Sequence, residues 1–375
     1  MTAFRTIVDT LGTAATAGET VVLATVVRVV GSSYGGVGSR MVARVDGSTV
    51  GLVSGGCLES DLALHARRVH ESGRAEVVSY DTRADDDAVW GLGLGCNGLI
   101  DVLLEPLAPA RAAEVSALLA LALAAERPSA LATVVKGEGA GAPAVGAHAL
   151  LAGGVTHSTG EWGDGAVRAA LPSHEDAALA AGRRGMVVTS GGVEVAFEIV
   201  QPTVKLVVCG SGPDVVPVVR LATELGWDVT VVDHRPVEHA RSERFPGARV
   251  VQCADPALLA DVVPLGARTA AVVMSHHFAR DTEYVRALSV TAAGYVGVLG
   301  PSARTERMLA ELAARGATVA GDRLFGPVGL DLGGDGPEAI ALAIVAEAAA
   351  SMHGRAGGHL RDRVATLHGG VPTRA

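Results

Sequence analysis

The stretch VKLVVCGSGPDVVPVVRLATELGWDVTVVD, residues 204–233, sets the architecture of the chain's second half. An apolar run from Val204 to Val208, interrupted by Lys205, leads directly into Gly210-Ser211-Gly212. Val215, Val218, Val219 and Leu221 then recur at helical spacing, and Trp227 to Val232 forms a second β-rich run that ends on Asp233. Strand, glycine turn, helix, strand and acidic residue, in that order, make a nucleotide-binding βαβ unit. The first glycine permits the tight turn, and the second lets backbone approach a pyrophosphate. The helix N-terminus offers N–H groups and partial positive charge. Asp233 stands roughly 20 residues on, where a carboxylate holds ribose hydroxyls. The match has gaps. The third glycine position is Val215, whose bulk is expected to push helix and strand apart. Pro213 removes a donor, and Asp214 puts negative charge where a phosphate would sit. Both also suit the first turn of any helix. A Rossmann shell used only as a docking platform fits the same residues.

Further strands at Arg249–Gln252, Thr269–Met274 and Tyr295–Leu299, with a helix beginning at Asp281–Ala287, extend this unit to a doubly wound parallel sheet over residues 203–355. Ser275-His276-His277 falls at the carboxyl end of a strand, where open α/β sheets bind ligands. His276, His277 and Asp281 offer metal-ligating atoms, and such residues equally cap a helix.

Residues 1–200 read as a mixed α/β domain. Ala3–Ala17 has a helical apolar face of Phe4, Ile7, Val8 and Leu11. Val21–Val30 is a buried strand, and Met41–Val45 with Thr49–Val53 form a hairpin around Asp46-Gly47. A helix with Leu58, Leu62 and Val69 inside follows Cys57; strands at Glu76–Tyr80 and Leu99–Leu104 and a helix at Ala108–Ala125 come next. The Gly-, Ala- and Thr-rich stretch 137–165, with short strand-like pieces, reads as the remainder of the first domain plus a connecting region, and Glu194–Val200 as a strand. Gln201-Pro202 marks the domain boundary, and residues 356–375 read as a mobile tail.

Two glycine loops carry the candidate chemistry of this domain. One joins Gly31-Ser32-Ser33-Tyr34 and Gly38-Ser39-Arg40 to Ser54-Gly55-Gly56-Cys57-Leu58-Glu59. The other is Gly91 to Gly98, with Cys96 inside it. Such glycine density lets main-chain amides converge on an anion. A cysteine beside a helix N-terminus, as expected for Cys57, favours the thiolate, a soft ligand. A small apolar packing role fits Cys57 and Cys96 as well. Arg40 suits an anion or a structural ion pair. Cys209, inside the first Rossmann strand, belongs to the core.

The formal net charge of -9 and the lack of a basic run argue against a nucleic-acid partner. The four cysteines form no CxxC pair, which argues against a zinc knuckle. Met1–Thr20 has no signal-peptide pattern, and Val115–Ala125 is too short to span a bilayer. A cytoplasmic protein with free thiols is expected.

In order along the chain, Gly31-Ser32-Ser33, Gly38 to Met41, Gly55-Gly56-Cys57-Leu58-Glu59, Gly95-Cys96-Asn97-Gly98 and Leu104-Glu105-Pro106 lead to Phe197-Glu198 and Pro202. Gly210-Ser211-Gly212, Asp233-His234-Arg235-Pro236, Phe245-Pro246, His276, Asp281, Tyr295-Val296-Gly297, Gly300, Pro327 to Gly333, Pro337-Glu338 and Glu347 complete the set. This ordered set resembles the XdhC/CoxI family of xanthine dehydrogenase accessory proteins over nearly the whole chain. The resemblance implies a protein that binds molybdenum cofactor (molybdopterin), assists its terminal sulfuration and passes it to a xanthine dehydrogenase-type molybdenum hydroxylase. It also implies a homodimer and a cysteine desulfurase as further partner. Cys57 is then the cofactor contact, through the metal, with Ser32, Ser33, Arg40, Gly55, Gly56, Glu59 and Cys96 around it and Gly210, Gly212, Asp233 and His276 in the Rossmann domain. Pro213, Pro301 and Tyr34 depart from the family's common His, Ser and Pro. Two other readings stand: an NAD(P)-dependent oxidoreductase with Cys57 or His276 in proton or nucleophile work, and a scaffold that docks a hydroxylase and a desulfurase.

Overall fold

The computed structural model describes residues 2–31, 33–81, 98–182, 185–236, 242–319 and 321–362. They divide into two compact units, Ala3–Pro202 and Thr203–Asp362.

The first unit opens with α1 (Thr2–Ala17), followed by β1 (Val21–Gly31), β2 (Arg40–Ala43), β3 (Thr49–Gly51), α2 (Glu59–Ser72), β4 (Glu76–Asp81), β5 (Gly98–Leu107) and α3 (Pro109–Ala124). The strands form an antiparallel sheet in the order β3-β2-β1-β5-β4. The apolar run of β1 belongs at its centre because both faces are covered. Val21 and Leu23 pack with Ile7, Leu11, Val115 and Leu119 of α1 and α3. The intervening Val22, Ala24 and Val26 pack with Leu62, Ala66 and Val69 of α2, as the two-residue period of a strand requires. The expected hairpin is present, with β2 antiparallel to β3 and Gly47 at φ +86° in its turn.

Residues 129–200 form a second sheet, which takes in the expected strand at Glu194–Val200 and the stretch 137–165 expected as the remainder of the domain with a connecting region. Here β6 (Ser129–Gly137), β7 (His148–Ala152), β8 (Val155–Thr159), α4 (Ala166–Ala170), α5 (Glu175–Ala181), β9 (Met186–Ser190) and β10 (Val193–Val200) build a second five-stranded antiparallel sheet, ordered β8-β7-β6-β10-β9. Alanine hid the strands, because it carries little β preference and weakens the alternating pattern. The alternation is nevertheless real. Ala130, Ala132 and Val134 face Trp162, Leu171 and Ala178, whereas Leu131 joins Leu150 and Val200 against α1 and α3.

Two buried polar contacts tie the two sheets: Glu105 on β5 with His148 on β7 at 3.0 Å, and the ion pair of Arg40 with Glu198. Arg40 on β2 donates from both terminal nitrogens to Glu198 on β10, at 2.9 and 2.6 Å. Its guanidinium also donates to the Gly38 carbonyl at 2.8 Å and lies over the Phe4 ring. Gly38 sits at φ +88°, and a Cβ there would stand 2.8 Å from the Glu198 carboxylate.

The second unit contains β11 (Lys205–Cys209), α6 (Val215–Glu224), β12 (Asp228–Asp233), β13 (Ala248–Gln252), α7 (Leu259–Val262), β14 (Thr269–Val273), α8 (Phe278–Ser289), β15 (Tyr295–Val298), α9 (Ser302–Ala314), β16 (Leu324–Phe325) and α10 (Pro337–Met352). The sheet is parallel throughout, ordered β13-β12-β11-β14-β15-β16. This is the doubly wound α/β arrangement expected from residues 204–233, with strand order reversing between β11 and β14. α6 and α10 cover one face through Val215, Val218, Ala341 and Ile344. α8 and α9 cover the other through Tyr284, Leu288, Met308 and Leu312. Val215 is fully buried in the first of these clusters. Its side chain contributes to the core at the position where a fingerprint glycine would leave space. Cys209 lies in the opposite core, and burial pushes its thiol well above the usual range. Among the described residues no helix is long and apolar enough to cross a membrane.

Replacing Arg40 by Met should cost about 3–5 kcal/mol, because it leaves the buried Glu198 carboxylate unpaired. Urea denaturation checks this, and a loss below about 1 kcal/mol, the range of a surface ion pair, would contradict it.

Candidate functional site

The candidate residues fall into one group in each unit. In the first unit Leu58 and Leu62 are buried, which anchors the start of α2. The chain immediately before it, Gly55-Gly56-Cys57, is exposed, while Ser54 is buried beneath. Ser54 and Glu59 brace this loop from inside. The Ser54 hydroxyl donates to Glu59 Oε2 at 2.6 Å and accepts from the Leu58 and Gly56 amides at 3.1 and 3.3 Å. Glu59 Oε1 accepts from the Val53 and Ser54 amides at 3.1 and 2.7 Å. Burial alone would raise the Glu59 pKa; the hydrogen bonds from Ser54 outweigh it and hold the carboxyl below its ordinary value. Glu59 is therefore a brace of the loop. Gly56, at φ +107°, supplies the bend.

What the braced loop presents is Cys57. Its thiol is exposed, with Ser54 Oγ at 3.5 Å. The Gly55 and Cys57 amides have no hydrogen-bond partner among the described residues. The first glycine turn lies alongside. A Cβ on Gly35 would stand 2.1 Å from the Val53 carbonyl, and one on Gly55 would touch the Tyr34 ring at 3.4 Å. Ser33 is buried and donates to the Gly35 carbonyl. Arg40 does not reach an anion here, since Glu198 neutralises it. Ser32, Cys96 and the rest of the second glycine loop lie outside the described residues. Tyr34, 72% exposed against Gly55, is a residue that sequence reading marked only as a departure from a family pattern.

In the second unit the candidates gather at the carboxyl edge of the parallel sheet. Gly210 follows β11 at φ +141°, where a Cβ would stand 2.5 Å from the Met274 carbonyl of the neighbouring strand. α6 starts at Val215, so Asp214 stands at its N-cap position but makes no capping bond. Its Oδ2 lies 2.7 Å from Nε2 of His276, on the loop after β14. This pair bridges the point where strand order reverses. His276 takes φ +59°, a left-handed conformation uncommon outside glycine. Asp233, at the end of β12, is 3% exposed. It accepts from Ser211 Oγ, from the Arg235 amide at 2.9 Å, and from Arg235 Nε and Nη2 at 3.2 and 2.8 Å. Burial would raise its pKa, but the bonds from Arg235 and Ser211 prevail and hold the carboxyl far below the usual carboxylate range.

Of the two readings of His276, His277 and Asp281, metal ligation and helix capping, the geometry shows capping and internal bonding. Asp281 is buried and accepts from Ser275 Oγ at 2.5 Å and from Arg304 at 2.6 Å. His277 caps α8 by accepting from the Arg280 amide. No group of three or more His, Cys, Asp or Glu able to hold a metal occurs among the described residues.

Comparison with known proteins bears on both groups. Residues 206–348 match the XdhC Rossmann domain, and residues 14–81 match the XdhC and CoxI family. A probable xanthine dehydrogenase subunit of Bacillus subtilis is 30% identical over 329 residues, covering 88% of this chain and 92% of that protein. The chain belongs to the XdhC and CoxI family. A shorter match, 34% over 107 residues, links 28% of the chain to 33% of the molybdenum cofactor insertion chaperone PaoD of Escherichia coli. A solved structure described as a xanthine dehydrogenase from Bacillus halodurans is 29% identical, with a TM-score of 0.74 over 96% of this chain and 98% of that one. The XdhC and CoxI match at residues 14–81 includes the Cys57 loop, and the XdhC Rossmann match includes Gly210, Asp233 and His276.

Two outcomes test these geometries. In a Cys96→Ser background, the native protein should show one thiol that reacts fast with a chromogenic disulfide, lost on Cys57→Ser; a fast reaction that survives the substitution would contradict the exposed placement of Cys57. For Asp233 the folded pKa lies below the unfolded one, so its stabilisation is complete above about pH 4, the unfolded value, and fades as pH falls further. The stability difference between wild type and Asp233→Asn should therefore shrink on acidification, measured by urea unfolding across pH, and a gap that widens would refute the assignment.

Proposed function

We propose that this protein binds molybdenum cofactor at the Cys57 loop, assists its terminal sulfuration and inserts it into a xanthine dehydrogenase-type hydroxylase. The observation that carries this reading is the exposed Cys57 thiol, presented on a glycine loop whose interior is braced by Ser54 and Glu59. The donor set fits the cargo. A cysteine sulfur is a soft ligand suited to a molybdenum centre, and the Gly55 and Cys57 amides can meet acceptor oxygens of a phosphate. No general base stands against Cys57 among the described residues: its nearest polar neighbour is the Ser54 hydroxyl, itself committed to Glu59. A holding role follows more directly than turnover.

Cys57 binds the cargo, Ser54 and Glu59 position Cys57, and Tyr34 with Gly35 limits solvent on one side of the loop. The likeness to PaoD, a molybdenum cofactor insertion chaperone, and to a xanthine dehydrogenase subunit supports delivery to a molybdenum hydroxylase. In this reading a cysteine desulfurase is the sulfur-supplying partner, the working form is a homodimer, and the setting is cytoplasmic.

Protein purified without oxygen from cells making the cofactor should release a fluorescent pterin on oxidation. Cys57→Ser should retain less by about tenfold, the effect of losing roughly 1.4 kcal/mol of binding. Equal pterin in wild type and variant, or none in either, would refute the proposal.

A further inference from the structure

The carboxyl edge of the parallel sheet brings acidic and basic side chains together. Its acidic groups are already engaged. Asp214 faces His276 at 2.7 Å, and Asp281 is held by Ser275 and Arg304. Asp233 is saturated. Its Oδ1 accepts from the Arg235 amide and Nε, with His234 Nδ1 at 3.1 Å, and its Oδ2 accepts from Ser211 Oγ and Arg235 Nη2. A carboxylate offers about four lone-pair sites. None is left for a ribose diol, which is the partner an acidic residue at this position ordinarily takes.

The basic side chains around Asp233 are far less enclosed than it is. Arg235 keeps 49% of its side chain exposed and His234 keeps 40%, against 2% for Asp233. Arg235 Nη1 makes no bond among the described residues, while Nε and Nη2 are fixed by Asp233 and Ser211. The guanidinium is thus locked at its base and open at its tip. His234 is disfavoured as a cation first by burial and then by Arg280, with Arg235 and His277 adding to the effect.

We propose that the Rossmann crevice selects a nucleotide whose ribose carries a 2′-phosphate, with Arg235 and His234 as the selectivity residues and Asp233 positioning Arg235. The physical reason is a mismatch in donors. A ribose diol brings O–H donors that need acceptors, and Asp233 has no acceptor capacity left. A phosphate monoester only accepts, brings about -1.5 to -2 charge at neutral pH, and matches a half-fixed guanidinium. The inference concerns the second unit alone and does not rest on the cofactor reading of Cys57.

Titration calorimetry of the full chain with 2′,5′-ADP, 3′,5′-ADP and 5′-AMP tests it. 2′,5′-ADP should bind about tenfold or more tighter than either competitor, the scale of one charge-assisted bidentate contact. Arg235→Gln should bring 2′,5′-ADP to within about threefold of 5′-AMP while leaving 5′-AMP unchanged. If that variant does not fold, His234→Gln should weaken 2′,5′-ADP several-fold and 5′-AMP not at all. Equal affinity for 2′,5′-ADP and 3′,5′-ADP would reveal an unselective cationic patch and overturn the proposal. So would tighter binding of 5′-AMP, no detectable binding of 2′,5′-ADP, or undiminished selectivity in the variants.

Discussion

The first unit depends on the buried pair between Arg40 and Glu198. Neither residue touches Cys57, yet the pair fixes what lies beneath it. Glu198 belongs to β10 and Arg40 to β2, so their contact joins the two sheets, alongside apolar packing around α1 and α3 and the polar contacts of Glu105 with His148 and of Arg28 with Glu194. The same guanidinium ties down the Gly38 carbonyl at the end of the first glycine turn. That turn then packs through Gly35 on Val53 and through Tyr34 on Gly55, next to the exposed cysteine. A buried charge pair is a weak source of net stability, because desolvation offsets much of the attraction. Its value is geometric: two forked groups meet in one orientation, and the turn above them inherits it.

The second unit solves a related problem at its carboxyl edge. Parallel strands end there on Gly210, Asp233 and Ser275, and Asp214, Asp233 and Asp281 nearby are each hydrogen-bonded to a local basic or hydroxyl side chain. In both units the acidic side chains that a motif reader would assign to a ligand are committed internally. Glu59 braces a loop and Asp233 orients an arginine. Exposed groups of opposite chemistry, a thiol in one case and a guanidinium in the other, are what the two units present to solvent.

Much of this was legible in the sequence. Continuous valine runs and a G-x-G turn fix β11, α6 and β12, because a parallel sheet buried on both faces needs apolar strands throughout. Asp46-Gly47 fixes a hairpin by turn chemistry. The second antiparallel sheet was not legible, since Ala130, Ala132 and Ala149 gain their strand character only from packing with Leu171 and Phe197. The roles of Arg40 and Glu59 were also hidden. Their partners, Glu198 and Ser54, are separated from them by 158 and 5 residues, and no local pattern distinguishes a charge that meets a ligand from one that meets its own fold. The place of Cys57 at the approach to α2 followed from glycine before it and leucines after it; its exposure did not, since a packed thiol fitted the same residues.

If Cys57 holds the metal end of the cargo, the metal itself can be located. Crystals of the protein loaded with molybdenum cofactor without oxygen, measured at the molybdenum absorption edge, should give one anomalous peak beside Cys57 Sγ. That peak should be absent in crystals of Cys57→Ser. A molybdenum peak elsewhere, with the Cys57 loop unchanged and empty, would rule the assignment out.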